Sequence, residues 1–223
     1  MKRSFFITAD GSPSFRVDEL KETYHSRHGA VIESTYVYIK KGIKHWLDKN
    51  QKEKCSIFEL GFGTGLNAYL TANFAIQNKI SIRYESVENN PLTQKEVEDL
   101  NYNTLENQTD NVVDFIGLHQ SPWHKTYKIP NFSFTKQLTT FENYHKNKKF
   151  DILFYDAFGA HAQPELWSDE MMTKCFNLLN PGGVWVSYCA KGSVRRGLAG
   201  AGFIVERLPG PPGKREMLRA IKC

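Results

Sequence analysis

The chain has 223 residues, of which 40% are hydrophobic and 24% charged, and its formal net charge is +5. This length suits one sizeable core, and no apolar run approaches the roughly 20 residues that a membrane-spanning helix needs. The four cysteines have no C-x-x-C spacing, so neither a zinc site nor a disulfide framework is predicted, and no metal is expected. Because no signal-peptide core follows Met1, we predict a cytoplasmic protein without a membrane partner.

The first part of the chain has weak periodicity. We interpret residues 1–55 as an N-terminal extension packed on a core of residues 56–223, the whole forming a single domain. Residues 35–49 are the exception, because their apolar side chains fall on one face of a helix. His25 and His28 have a ligand spacing, but no third ligand accompanies them, so we expect packing or surface histidines.

A glycine-rich stretch organises the rest of the chain. An apolar run from Ser56 leads to Glu59, and glycines follow at positions 61, 63 and 65. The pattern predicts a buried parallel strand, a tight turn and a helix over residues 66–76. Such a turn lets a ligand lie against bare backbone, with the helix amides directed at it.

The ligand follows from the spacing. Leu66 stands where a dinucleotide fingerprint requires its third glycine, whereas E-x-G-x-G-x-G resembles the first motif of S-adenosylmethionine-dependent methyltransferases. The next apolar run, residues 80–87, ends at Glu88, and a carboxylate there can accept hydrogen bonds from both ribose hydroxyls. The two features favour a nucleoside cofactor; the alternative is a structural turn beside a surface glutamate.

The remaining elements alternate. They predict a Rossmann-like α/β fold with a doubly wound, mostly parallel sheet that ends in an antiparallel hairpin. The predicted elements are a helix over 91–100, a polar loop over 101–131, strands over 132–138 and 150–155, a helix over 168–179, a strand over 184–189, a basic helix over 193–201, and hairpin strands over 203–208 and 216–221.

Three carboxylates stand at the ends of predicted strands. Glu59 lies at the end of the first core strand, Glu88 follows the second, and Asp156 follows the strand over 150–155. In an open α/β sheet, ligands bind outside the carboxyl ends of the strands. We therefore expect these three side chains to converge around one crevice.

With these residues in view, the chain resembles the methyltransferases that complete 5-methylaminomethyl-2-thiouridine at the wobble position of certain tRNAs. In many bacteria that domain is fused to an FAD-dependent oxidase. The resemblance implies a class I methyltransferase fold, S-adenosyl-L-methionine as cofactor, a tRNA anticodon loop as partner, and a possible separate oxidase acting upstream of what looks like a stand-alone form. It is carried by residues 33–39, 59–67, 87–92, 156–167, 181–183, 194–198, 201–203 and 213–218.

The resemblance also implies site residues. Two departures qualify it: small residues beside Asp156 are changed, and Thr135-Lys136-Gln137 replaces the acidic residue that contacts adenine in many relatives, so Gln137 or backbone groups would substitute. The implied cofactor contacts are Glu33, Tyr36, Glu59, Gly61, Gly63, Thr64, Gly65, Asn67, Glu88, Gln137, Asp156 and Phe158.

The implied chemistry places a catalytic role on Asp156. The methyl donor is already activated, so the enzyme mainly aligns the reactants. The acceptor amine must be neutral to attack, and Asp156 could hold it and accept the proton that leaves. Phe158 would stack on the uracil ring or wall the methionine arm. The alternatives are that Asp156 bonds only backbone amides and that Phe158 is a core side chain.

Basic residues are frequent in the C-terminal third. Arginine and lysine contacts to phosphates would position an anticodon loop without reading its sequence. A solvated basic face is the alternative. The predicted RNA contacts are Lys191, Arg195, Arg196, Lys214 and Arg215.

Other functions stay open. An aminopropyltransferase-like enzyme or another small-amine methyltransferase would share the glycine turn, Glu88 and Asp156. A polyamine pocket should be lined with carboxylates, and the basic tail speaks against it. A nucleoside- or RNA-binding module without catalysis is a further alternative, which the loss of Asp156 would have favoured. A dehydrogenase fits least because of Leu66.

Overall fold

The computed structural model of the protein describes residues 1–104, 112–145 and 147–223. Its strands are β1 (Arg3–Ile7), β2 (Pro13–Val17), β3 (Glu22–Thr23), β4 (Lys54–Leu60), β5 (Ser81–Glu88), β6 (Thr126–Ile129), β7 (Phe132–Leu138), β8 (Phe150–Tyr155), β9 (Leu179–Ser187), β10 (Phe203–Pro209) and β11 (Glu216–Lys222). Its α-helices are α1 (Ala30–Ser34), α2 (His45–Asn50), α3 (Leu66–Asn78), α4 (Gln94–Leu100), α5 (Phe115–Gln120), α6 (Asp169–Leu178) and α7 (Gly192–Gly200).

The central sheet has eight strands in the order β10-β11-β9-β8-β4-β5-β7-β6. Strands β7, β5, β4, β8 and β9 are parallel to one another, whereas β6 runs antiparallel to β7 at one edge and β11 runs antiparallel to both β9 and β10 at the other. The predicted doubly wound, mostly parallel sheet with a terminal hairpin is confirmed.

The strand order places the reversal of the winding at β4 and β8. From β4 the chain proceeds outward to β5 and β7, and from β8 it proceeds the other way to β9. Successive residues of β4 serve opposite faces: Ile57 packs in one hydrophobic cluster and Phe58 in the other. A crevice at such a reversal opens at the carboxyl ends of the two strands.

The N-terminal segment forms its own small sheet. Strands β1, β2 and β3 pair antiparallel in that order, which the weak periodicity of the sequence did not predict. The helical region predicted over 35–49 is longer: α1 and α2 flank a π-helical stretch, Thr35–Lys44. Phe15 and Val37 belong to the same buried cluster as Ile57, so this segment packs on the central sheet.

Several boundaries differ from prediction for local reasons. Helix α4 begins at Gln94 rather than at Pro91, because Thr93 and Glu96 form a reciprocal capping box. Strand β9 begins at Leu179, earlier than predicted, and its pairing with β8 is irregular there. The predicted loop over 101–131 was wrong in part: it contains a 3₁₀ turn, Tyr102–Thr104, together with α5 and β6, while residues 105–111 lie outside the described residues. No helix within the described ranges has the length and apolar character needed to cross a bilayer.

Candidate active site

A cavity of about 620 Å³ opens at the carboxyl ends of β4, β5 and β8. Its walls come from the glycine turn, the end of β5, residues 139–142, the loop that begins at Asp156, and residues 22–26 of the N-terminal segment. The volume falls in the range of small-molecule sites. Glu88 and Asp156 both line it, so two of the three carboxylates expected to converge do so.

The three glycines of the turn all have positive φ, which side chains tolerate poorly. A Cβ on Gly61 would lie 2.9 Å from the carbonyl oxygen of Asp156, and one on Gly65 would lie 2.5 Å from Nε2 of His119. Gly61, Gly63, Thr64 and Asn67 line the cavity. Gly65 does not; it is the N-cap of α3 and turns the chain into that helix. The turn therefore presents bare backbone to the cavity.

The carboxylate of Glu88 bridges the turn to the next loop. Its Oε2 accepts a hydrogen bond from the Gly63 amide at 2.8 Å. Its Oε1 accepts from the amides of Asn89 and Asn90 at 2.9 and 2.7 Å. These bonds hold the carboxylate at the cavity wall, where the hydroxyls of a ribose can reach it.

Asp156 lies between residues of three elements. Nδ2 of Asn67 donates to its Oδ2 at 2.8 Å, and the Tyr38 side chain lies near it. The pKa of Asp156 is raised to about 6, chiefly by burial and also by the nearby charge of Glu33, whereas Tyr38, the hydrogen bond from Asn67 and the charge of Lys214 oppose the shift. At neutral pH the group is mostly ionised and remains able to accept a proton.

Glu59 does not line the cavity; it lies behind it. It is 0% exposed, and burial raises its pKa well above the ordinary value, although the neighbouring polar side chains of Ser86, Asn67 and Tyr84 favour the charged form. A direct contact of Glu59 with a cofactor is therefore not supported by this geometry.

The predicted RNA contact Lys214 lies in the cavity wall instead. Its Nζ is 2.6 Å from Oε1 of Glu33 and 3.7 Å from the ring centroid of Tyr188. Oε2 of Glu33 accepts a hydrogen bond from the Ser26 amide at 2.8 Å. The pair joins the β10–β11 hairpin to the N-terminal segment across the cavity. Glu33 lines the cavity, as expected for a cofactor contact, whereas Lys214 lines the cavity and not the outer surface where an RNA contact was expected.

Two further predicted cofactor contacts lie elsewhere. The Tyr36 hydroxyl donates to the carbonyl oxygen of Pro209 at 3.0 Å, and the side chain that reaches Asp156 is Tyr38. The Gln137 side chain is buried, with Oε1 2.9 Å from Nδ1 of His124 and Nε2 donating to Glu85 at 3.2 Å. Neither Tyr36 nor Gln137 lines the cavity.

Two aromatic residues in the cavity wall pack against each other, and only Phe158 of the two was a predicted contact. Phe158, a predicted contact, lines the cavity, and its ring packs edge-on against Tyr24 with centroids 5.0 Å apart. The Tyr24 hydroxyl accepts a hydrogen bond from Nε of Arg3 at 2.9 Å. Its pKa is raised to about 12, chiefly by burial. Residues 139–142 stand beside Glu88, where Gln137 was expected. The sequence signal for residues 139–142 was their position directly after the predicted strand over 132–138.

Two buried histidines contact the glycine turn at Thr64. Nδ1 of His25 lies 3.0 Å from Oγ of Ser14, and its Nε2 lies 3.4 Å from the Thr64 hydroxyl. Nε2 of His119 lies 3.0 Å from the Thr64 carbonyl oxygen. Burial lowers the pKa of each imidazole to about 4, so both are neutral. His25 is thus a buried histidine that packs against Thr64 and also lines the cavity.

The other predicted RNA contacts are exposed and outside the cavity. Lys191 is the N-cap of α7, and Arg195 and Arg196 lie on that helix. The pKa of Glu216 is lowered first by its hydrogen bond with Arg207 and further by the charges of Arg215 and Arg195. Helix α7 and the hairpin therefore share one basic surface.

The cavity itself is acidic. Lys214 is the single lysine or arginine among its described lining residues, and Glu33 pairs with it. Within the described ranges no group of three or more histidine, cysteine, aspartate or glutamate side chains is arranged to hold a metal ion. The lining carboxylates are Glu22, Glu33, Glu88, Glu142, Asp156 and Glu165.

Comparisons with known proteins agree with this geometry. A family described as S-adenosyl-L-methionine-dependent methyltransferase matches residues 131–223. The tRNA 5-methylaminomethyl-2-thiouridine biosynthesis bifunctional protein MnmC of Hydrogenovibrio crunogenus is 26% identical over 211 residues, which cover 88% of this chain and 31% of that protein. The protein of the same name from Aromatoleum aromaticum is 28% identical over 225 residues, covering 96% and 34%. The chain thus spans about a third of the length of these curated relatives.

Solved structures show the same fold. MNMC2 from Aquifex aeolicus is similar with a TM-score of 0.79 and 24% identity, over 98% of this chain and 70% of that one. Spermidine synthase from Thermotoga maritima is similar with a TM-score of 0.58 and 13% identity, over 99% and 68%. The predicted class I fold and the predicted cofactor, S-adenosyl-L-methionine, are confirmed. The residues present fit that cofactor, because bare backbone at Gly61 and Gly63, a carboxylate for a diol and an acidic lining suit a cationic nucleoside.

Proposed function

We propose that this S-adenosyl-L-methionine-dependent methyltransferase methylates the primary amine of 5-aminomethyl-2-thiouridine at the wobble position of tRNA, giving 5-methylaminomethyl-2-thiouridine. The observation that carries the proposal is Asp156, a carboxylate with a pKa near 6 at the junction of the cofactor turn and an acidic cavity. Its support in sequence is the similarity to the two relatives named above, which covers 88% and 96% of this chain.

The chain's own residues divide the work. Gly61, Gly63, Thr64 and Glu88 would hold the cofactor, which supplies an activated methyl group when bound. Asp156 would accept a hydrogen bond from the acceptor amine, orient its lone pair towards the methyl group that the cofactor supplies, and take up the proton that the nitrogen gives up. The hydrogen bond from Asn67 keeps Asp156 in place.

The basic surface of α7 and the hairpin would bind the tRNA backbone. Lys191, Arg195, Arg196 and Arg215 are exposed there and can contact phosphates of an anticodon loop. The wobble base must be splayed out of the loop to reach the cavity, which single-stranded loops permit at modest cost. With tRNA as substrate, the cytoplasm is the proposed compartment, and a separate FAD-dependent oxidase is the proposed partner that acts upstream.

The acidic lining favours a small-amine transferase as the second candidate function. Six carboxylates line the cavity, as a polyamine pocket requires, and the fold is shared with a spermidine synthase. The basic surface outside the cavity has no use in that reaction, so we place it second.

One labelling experiment tests both candidates. Bulk tRNA from cells lacking this protein is incubated with the full chain and methyl-labelled S-adenosylmethionine, and the nucleosides are then analysed. We expect label in 5-methylaminomethyl-2-thiouridine. Label in no RNA nucleoside, together with label in putrescine added to the same incubation, would replace the proposal with a small-amine methyltransferase.

A further inference from the structure

Glu22 brings a carboxylate from the N-terminal sheet into the cavity. It lies on β3, and its side chain keeps 20% of its exposure. Its Oε1 accepts a hydrogen bond from the Gly159 amide at 3.1 Å and lies 3.3 Å from Nε2 of His161. Glu22 therefore contacts the loop that begins at Asp156. This loop forms the side of the cavity where the proposed acceptor would react.

Three of the other five cavity carboxylates have neighbours or a role assigned above; Glu142 and Glu165 also line the cavity, but within the described residues neither side chain bonds to the loop that begins at Asp156. Glu33 pairs with Lys214, and Glu88 accepts bonds from the glycine turn and its neighbouring loop. Asp156 is the proposed base. Glu22 is held by the backbone of the acceptor-side loop, so its charge acts on what enters beside that loop. Opposite charges attract and like charges repel more strongly in a partly desolvated cavity than in water.

We propose that Glu22 is a specificity-determining residue, which admits acceptor arms that end in an amine and rejects arms that end in a carboxylate. The inference rests on the proposed function and deepens it. An arm that carries a carboxymethyl group on its amine would place a negative charge among the lining glutamates, with the single lining lysine already paired. Rejection by repulsion is a common basis of specificity.

The test compares two acceptors with the full chain. One tRNA carries 5-aminomethyl-2-thiouridine and the other carries 5-carboxymethylaminomethyl-2-thiouridine. The Glu22→Gln variant keeps an oxygen for the Gly159 amide but loses the charge. We expect it to raise KM for the aminomethyl tRNA and to lower the ratio of kcat/KM for the two acceptors, each by roughly tenfold, with KM for S-adenosylmethionine unchanged.

Two variants serve as controls. Glu22→Asp keeps the charge and should keep most of the discrimination. Glu19→Gln removes an exposed charge of the same segment and should change neither parameter. A merely structural role of Glu22 would instead lower the melting temperature and the affinity for S-adenosylhomocysteine together.

The outcomes separate the inference from the proposed function. Unchanged discrimination in Glu22→Gln overturns the inference, as does a wild type that methylates both tRNAs equally well. A wild type that methylates neither tRNA rejects the proposed function and the inference with it. Selective loss of discrimination in Glu22→Gln, with Glu22→Asp close to wild type, supports both.

Discussion

Asp156 carries the chemistry because its surroundings tune its proton affinity. Burial is the main cause that raises its pKa to about 6, and the hydrogen bond from Asn67 and the nearby Tyr38 keep the shift from being larger. A base with a pKa near the working pH is ionised and still basic enough to take a proton. The same burial costs stability, so the residue should affect activity and folding in opposite directions.

We expect Asp156→Asn to reduce kcat by about 10²- to 10³-fold and to leave the affinity for S-adenosylhomocysteine nearly unchanged, since the proton acceptor is lost and the glycine turn is not. In the wild type, kcat should fall as the pH drops through about 6, because the folded-state pKa of Asp156 lies there. Single-turnover rates between pH 5 and 8 give both results. An unchanged rate in the variant would remove Asp156 from the mechanism.

The same substitution should stabilise the fold. The pKa of Asp156 is raised from 3.8 to about 6, so the folded state binds the proton more tightly than the unfolded state. Stability associated with this proton is present at low pH and is lost as the pH rises through about 6. Asp156→Asn should therefore raise the free energy of unfolding by about 1–2 kcal/mol near pH 7.5, and by much less near pH 4. Urea titrations at the two pH values measure it, and an equal gain at both would contradict the linkage.

Side-chain direction was the part of the site that sequence could not supply. Glu88 and Asp156 were predictable because strand ends meet at one edge of a parallel sheet. Tyr36 and Lys214 were misplaced, because a π-helical stretch presents Tyr38 to Asp156 and because the hairpin turns Lys214 inward onto Glu33. Charge and proximity in sequence indicate neither of these directions.

At the scale of elements, the glycine turn is required by contacts as well as by φ. Gly61→Ala places a methyl group 2.9 Å from the Asp156 carbonyl oxygen at φ +87°. We expect it to cost about 1–2 kcal/mol of stability and to weaken S-adenosylhomocysteine binding at least about tenfold, measured by calorimetry.

Gly200→Ala is the matched control for this prediction. That glycine ends α7, and a Cβ there meets no atom within 4 Å. It should leave binding unchanged and should be neutral or slightly stabilising. Wild-type affinity in Gly61→Ala would show that the turn does not form the cofactor wall.

The basic surface of α7 should govern tRNA affinity. We expect Arg195→Ala with Arg196→Ala to weaken tRNA binding and to reduce the slope of log K against log salt by about 1.4, because two phosphate contacts to single-stranded RNA are lost. The control is Lys125→Ala with Lys128→Ala, two exposed lysines at and beside β6 on the opposite edge of the sheet. Filter binding at several salt concentrations measures both. Equal slopes in the two double variants would move the RNA surface elsewhere.

Elements were predictable where local pattern and tertiary structure agree. Strands β7 and β8 match the predicted ranges, since apolar runs bounded by turns define them. The β1–β3 sheet did not appear in the pattern, because Phe15 is buried by contacts with the distant core rather than by a local alternation. Helix α5 lies in the stretch that was predicted as a polar loop, although its own Phe115 and Leu118 are apolar and buried.

On the scale of the whole molecule, the N-terminal sheet shares its hydrophobic core with the central sheet. We expect Phe15→Ala to cost about 3–5 kcal/mol, because Phe15 is 2% exposed and belongs to the cluster that contains Ile57. Unfolding followed by tryptophan fluorescence and by far-UV circular dichroism should give coincident transitions in wild type and variant.

Phe5→Ala is the control on the neighbouring strand. Phe5 is 48% exposed, although its ring packs edge-on against Phe15. Its loss should cost less than about 1 kcal/mol. A separate early transition for the N-terminal segment would contradict a shared core.

The bonds of Glu88 have a consequence for how tightly a nucleoside is held. Its carboxylate already accepts three backbone amides, from Gly63, Asn89 and Asn90. The hydrogen-bonding capacity of this carboxylate is therefore largely satisfied before a ribose diol binds. The diol hydroxyls would share the carboxylate oxygens with these amides or replace them, and would not supply a missing partner to a buried charge. The net gain from each hydroxyl is correspondingly small, and the same three bonds keep the carboxylate preorganised. We therefore expect the Glu88 carboxylate to contribute more to the orientation of a bound nucleoside than to the affinity for it.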